Sequence, residues 1–161
     1  MDEKFYKEWF LGFAEGLDRM NEESRSSMLR CCARRCADTG VLDSYRNHYK
    51  KVGGNKDEFY SRLEELGGVR GEVAVSGKEY LIIFLECCCD LHTTGGVHTP
   101  NLCECSRQSI LYVGKEVWGK DVAFSVCQEG TILTGKKECT FRIVFEDDKC
   151  INEKGHLAED F

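Results

Sequence analysis

GKKECTFRIVF, residues 135–145, decides the fold: after Gly135 the chain alternates Cys139, Phe141, Ile143 and Phe145 with Thr140, Arg142 and Val144. Apolar residues at every second position place one side of a strand against a core, because successive side chains of a strand point to opposite faces. Working backwards, VRGEVAVSGKEYLIIFL at 69–85 holds two more β-prone runs, Val69 to Val75 and Glu79 to Leu85, joined at Ser76-Gly77 as in a hairpin. Asp121 to Gln128 reads as a further strand. Between them, Thr99 can cap and Pro100 can open a helix that runs to Trp118, where Gly119 ends it.

The first 68 residues change period. Phe5, Trp9, Phe10, Phe13 and Leu17 recur at one- to four-residue steps and predict an apolar-faced helix from Asp2 to Met20. Met28, Leu29, Cys32 and Cys36 align on a second, from Glu22 to Asp38, before Gly40. A third spans Leu42 to Lys51, and Asn55 with Glu58 reads as the capping box of a fourth that runs to Leu66. The fold class is therefore α+β: N-terminal helices packed on a mostly antiparallel sheet, with one helix inserted between strands. A single domain over 1–146 is expected, with its helical part at 1–68, its strand-rich, cysteine-containing part at 69–146, and a flexible tail at 147–161.

Composition narrows the function. The 161 residues include 42% hydrophobic and 31% charged residues and a single Pro, which is the balance of a chain that buries a core. The longest purely apolar run, Tyr80 to Leu85, is far short of the roughly 20 residues of a membrane span, and Met1-Asp2-Glu3 is no signal peptide. A soluble, cytoplasmic protein without a membrane partner is expected. A net charge of -6 repels nucleic acid. The Gly pairs lack any phosphate-loop pattern, so nucleotide-fuelled chemistry is disfavoured. Five large apolar residues on the first helix predict that its aromatic face packs against a second copy, giving a homodimer.

Eleven cysteines are the compositional anomaly. An odd count, with adjacent residues at Cys31-Cys32 and Cys87-Cys88-Cys89, argues against a disulfide framework and leaves packing, metal ligation or thiol reactivity. In an extended segment Cys87 and Cys89 aim two sulfurs to one side, and Cys103, Cys105, His92 and His98 follow within 19 residues, so these six are the candidate metal ligands. Inside a helix only one of Cys103 and Cys105 can converge on such a site. Zinc or an iron–sulfur cluster suits thiolate ligands, although the spacing matches neither a zinc ribbon nor a ferredoxin pattern. Cys32 and Cys36, one turn apart, form a second candidate pair, for which burial in the core is the favoured reading, as it is for Cys139. Cys103 near a helix N-terminus is the best catalytic nucleophile, with His92 or His98 as base and Glu104 or Asp90 orienting a substrate.

From Tyr80 to Phe145 the order strand, Cys-rich loop, Cys-led helix, strand and a late G-x-x-x-C-x-F strand resembles the 4-vinyl reductase-type small-molecule-binding domain superfamily. Within it the chain is most similar to the L-2-amino-thiazoline-4-carboxylic acid hydrolase-like proteins. The resemblance covers under half the chain, and the cysteine triplet and the Cys32/Cys36 helix depart from it. It implies an apolar ligand cavity between helices and sheet that takes a small apolar or heterocyclic ligand. Three functions follow in order: a small-molecule-binding or sensory domain with a cysteine-rich, metal-competent site; a thiol-dependent hydrolase of a small amide or thiazoline-like heterocycle; and a structural metalloprotein acting through partners.

Overall fold

Cys139, Phe141, Ile143 and Phe145 are all buried, at 8, 0, 0 and 1% exposure, so the alternation read in the sequence is a strand with one face in the core. The computed structural model describes residues 2–145, and the expected tail at 147–161 lies outside them. The elements run α1 (Glu3–Arg19), α2 (Glu22–Cys36), a π-helical turn (Ala37–Val41), α3 (Leu42–Lys51), α4 (Lys56–Ser61), β1 (Val69–Val75) and β2 (Glu79–Phe84). They continue with α5 (Asp90–Thr93), a 3-10 turn (Pro100–Cys103), α6 (Glu104–Trp118), β3 (Phe124–Gly130) and β4 (Cys139–Phe145). The fold is α+β. Among the described residues the strands form a single sheet of order β1-β2-β4-β3 with every pairing antiparallel, and α5 and α6 are the insertion between β2 and β3.

Local chemistry sets these boundaries. Asn55 caps α4 by accepting from the Glu58 N–H at 3.0 Å, and Thr99 accepts from the Asn101 N–H at 3.2 Å with Pro100 just inside. The helix expected from Asn55 to Leu66 is shorter, because the chain tightens to a 3-10 turn at Leu63–Leu66. Gly40, at φ 142°, kinks the chain between α2 and α3 without separating them by a loop. The 121–128 strand is shifted forward to Phe124–Gly130.

Register puts Tyr80 opposite Ile143, Ile82 opposite Phe141, Val126 opposite Ile143 and Gly71 opposite Ile82, all on the helix-facing side. Gly71 serves close approach. A Cβ there would stand 2.1 Å from the Tyr60 carbonyl oxygen, so α4 lies directly on β1 only because that side chain is absent. Asp57 ties α4 to the β1–β2 turn and to β2 by accepting from Tyr80 Oη at 2.6 Å, from the Gly77 N–H at 2.9 Å and from the Ser76 hydroxyl.

The main core joins the sheet to Phe59, Tyr60 and Leu63, and to Ile110 and Leu111 of α6. A second core forms where Leu17 of α1 and Leu29 of α2 meet Val97 and Leu102, with Phe10 and Phe13 at its margin. The α1 aromatics therefore divide. Phe5, Tyr6 and Trp9 stay about half exposed, while Leu17 is fully buried. Asp18 anchors this end of α1 by accepting from Asn101 Nδ2 at 2.7 Å and from the Thr99 hydroxyl, and these bonds hold its carboxyl below the ordinary value.

Candidate functional site

One face of α6 carries Ser106, Ser109, Ile110, Val113, Gly114 and Val117, each with another of the set three or four residues along, and the row is rich in side chains short for a helix laid on a sheet. The turn into β1, Gly67-Gly68, has no side chains, and both residues take positive φ. The gap they leave is a cavity of about 360 Å³ between α6, the α2–α3 corner and the β1–β2 end of the sheet. Tyr45 and Phe59 wall it on one side, Val69, Ile82 and Phe84 on the sheet side, and Trp118 beyond the end of the small-residue stripe. Cys36, Cys88, Cys89 and Cys105 contribute thiols to the same wall.

A much smaller recess, about 20 Å³, adjoins it and is lined by Cys87, Cys88, Cys89, Cys103 and Cys139 with Leu102 and Thr131. Cys87, Cys89 and Cys103 thus come to one place, as their positions around the loop suggested. Cys105 faces the larger cavity, consistent with the opposed directions of i and i+2 on a helix. Cys103 Sγ donates to Thr131 Oγ1 at 3.2 Å, and Cys139 Sγ accepts the Ile132 N–H at 3.3 Å. These are bonds of packed, neutral thiols. Among the described residues no group of three or more Cys, His, Asp or Glu is placed to hold a metal ion, so the ligand set expected for zinc or an iron–sulfur cluster is not assembled there.

Several single-residue expectations are corrected. Cys32 and Cys36 are exposed, because the buried stripe of α2 runs through Leu29 and Ala33 and leaves both cysteines beside it. Only Cys36 reaches the cavity. Cys139 is buried as expected. His92 and His98 lie against each other, ring centroids 4.9 Å apart, with His92 Nδ1 2.9 Å from the Val97 carbonyl oxygen, and neither lines the recess where a base for Cys103 would stand. Glu104 is committed to structure: its carboxylate accepts from Ser26 at 2.7 Å, Arg107 at 2.7 Å and Gln108 at 2.8 Å. Burial pushes that carboxyl up, but Arg107, Gln108 and Ser26 together outweigh it and hold the group below its ordinary value.

At Cys103 burial opposes any thiolate character that the helix end would confer. Burial pushes its thiol up to about 11, Cys88 to about 11 and Cys105 to about 12, and raises Cys89 and Cys139 as well. Desolvation of the thiolate exceeds what the helix end offers, since Cys103 is itself the cap residue and its sulfur is directed to Thr131. At about pH 7.5 iodoacetamide is accordingly expected to label Cys31 and Cys32 well before Cys103 and Cys105, read by peptide mapping. Selective early labelling of Cys103 contradicts this. The sign of the linkage follows: between the ordinary thiol value of 9.0 and about 11 the unfolded chain has released protons that the folded chain retains, so stability falls as pH rises above 9. Urea midpoints at a series of alkaline pH values test it, and Cys103→Ala flattens the slope.

Sequence reasoning missed most of the cavity wall, since Tyr45, Phe59, Val69 and Trp118 come from four separated segments and look like ordinary core residues. The one available signal was the run of short side chains along a helix otherwise facing the core.

The fold and site define an α+β protein with an apolar cavity whose wall includes thiols. No family model matches the chain, and no curated protein matches it in sequence. The 4-vinyl reductase-type resemblance finds no support in these comparisons. Among solved structures the chain is similar to a trafficking protein particle complex subunit 3 from Naegleria fowleri covalently bound to palmitic acid, at 12% identity and a TM-score of 0.44 over 98% of each chain. No helix among the described residues is long and apolar enough to cross a membrane.

Proposed function

We propose that the protein is a small-molecule-binding module that takes an apolar ligand between α6, the α2–α3 corner and the sheet. The observation carrying this reading is the cavity of about 360 Å³, which falls within the roughly 300–1,000 Å³ of ligand sites and is walled chiefly by aliphatic and aromatic side chains. A void of that size left empty costs stability, because its lining lacks packing partners. An apolar guest restores those contacts. The hydrolase reading is weaker, since burial pushes the Cys103 thiol up to about 11 and neither histidine lines the recess beside it.

Nile red, a neutral dye that brightens in apolar surroundings, is expected to bind with one dye per chain and to raise the melting temperature of the protein. Ser109→Phe, which puts a ring on the cavity wall, is expected to weaken binding at least about tenfold while the far-UV spectrum is kept, because the added side chain occupies the guest's space. Unchanged binding in that variant, or binding that does not saturate, sinks the proposal. A homodimer through Phe5, Tyr6 and Trp9 is a separate reading supported by the exposure of those three side chains. Light scattering at micromolar concentration that gives only the 18.3 kDa species rejects it.

A further inference from the structure

Four thiols line the large cavity, and burial acts on three of them: it pushes Cys88 up to about 11 and Cys105 up to about 12, and it raises Cys89. The fourth, Cys36, is the last residue of α2 and stands at the rim. It is exposed to water, yet it lines the cavity together with Ala33, the fully buried residue three positions earlier on the same helix. Its sulfur is near enough to those of Cys89 and Cys105 for a charge on it to oppose the ionisation of both, which places it on the cavity side of α2. A thiolate formed there keeps its contact with water while standing beside an apolar space. Cys31 and Cys32, about one turn back, are exposed as well but do not line the cavity. Among the described residues no Lys, Arg, His, Asp or Glu lines it either, so a guest that reaches Cys36 from inside is uncharged.

We propose that Cys36 captures, as thioethers, apolar guests that carry a conjugated electrophile, namely α,β-unsaturated ketones or aldehydes. This rests on the binding function proposed above and adds a covalent step at its rim. The Cys36 sulfur gives its proton to water and bonds to the β-carbon, the carbon–carbon π bond breaks toward the carbonyl, and the resulting enolate takes a proton from water at the α-carbon. Thiol and enone together make up the whole product, with no leaving group and no oxidant. The cavity supplies position by holding the guest's tail while the rim presents the sulfur.

The test alkylates the full chain near neutral pH with a nonenone that carries a pentyl tail on its β-carbon, and with methyl vinyl ketone, the same enone without the tail. Trypsin cuts after Arg30, Arg34 and Arg35, so Cys36 falls in a different peptide from Cys31 and Cys32, the controls on the same helix. The ratio of Cys36 labelling to Cys31 and Cys32 labelling removes the intrinsic difference between the reagents. That ratio is expected to be at least about 10-fold higher for the nonenone, because burial of the tail concentrates the enone at the sulfur. Saturating Nile red should bring it down to the methyl vinyl ketone value, and Ser109→Phe should do the same. Equal ratios for the two reagents, or a nonenone ratio that Nile red leaves unchanged, overturn the inference, while saturable dye binding leaves the cavity function intact. Failure of the dye to bind, together with equal ratios, overturns both. Protection by the dye is read in the parent chain, so the outcome does not depend on the folding of Ser109→Phe.

Discussion

Phe141→Ala is expected to lose about 3–5 kcal/mol of stability, the usual cost of emptying a fully buried Phe position. The side chain is 0% exposed, sits on β4 between Ile82 of β2 and Gln128 of β3, and meets the Phe84 ring at 6.0 Å. It is thus packed at the centre of the sheet's helix-facing side, where strands on both flanks prevent collapse into the void. Against a total stability of about 5–15 kcal/mol for a protein of this size, that loss should bring the urea midpoint down by a large fraction of its value. Phe5→Ala is the matched control. Phe5 is 52% exposed on α1, and its removal should change stability by no more than about 0.5 kcal/mol. Far-UV circular dichroism in urea compares them, and a Phe141→Ala midpoint within error of the Phe5→Ala midpoint would refute the packing described.

Gly71→Ala should be as damaging, although it adds a single methyl group. The new carbon would lie 2.1 Å from the Tyr60 carbonyl oxygen, 2.9 Å from its carbon and 3.1 Å from Leu63 Cβ. Two of those three atoms are backbone, so no side chain can rotate away and α4 must lift from β1. Overpacking ordinarily costs about 1–3 kcal/mol, and a backbone collision belongs at or above the top of that range. Lifting α4 also displaces Phe59 from the cavity wall, so dye binding should fall together with stability. Gly12→Ala separates this from a general glycine effect. Nothing lies within 4 Å of a Cβ at Gly12, which is inside α1, and the change should be neutral or stabilising by up to about 1 kcal/mol through helix propensity. Equal urea midpoints for Gly71→Ala and the parent chain would contradict the close approach.

Local signals were legible where one residue type decides the geometry. The alternation at 139–145, the caps at Asn55 and Thr99 and the hairpin at Ser76-Gly77 all read correctly because each is settled within a few residues of chain. Strand order was not legible. Nothing local says that β4 pairs with β2 as well as β3, since that depends on where α5 and α6 return the chain. The cysteines divide the same way. Convergence of Cys87, Cys89 and Cys103 followed from two elements meeting at one loop, whereas the exposure of Cys32 and Cys36 depended on the rotation of α2, which Leu29 and Ala33 fix by packing. The cavity escaped because a void is a property of what several segments together fail to fill.

Strand β4 is late in the sequence yet interior in the sheet, and this orders events on the ribosome. While the chain is being made, β2 has one edge satisfied by β1 and the other open, and β3 has no β-partner at all. Tyr80, Ile82, Phe124 and Val126, all buried at the end, wait beside unpaired backbone until residues 139–145 emerge. Synthesis from the N-terminus can complete the helical layer early, but the sheet closes in one late step, as a keystone closes an arch. Before that step the open edges of β2 and β3 are the chain's greatest liability to association with its neighbours, and β4 removes both at once.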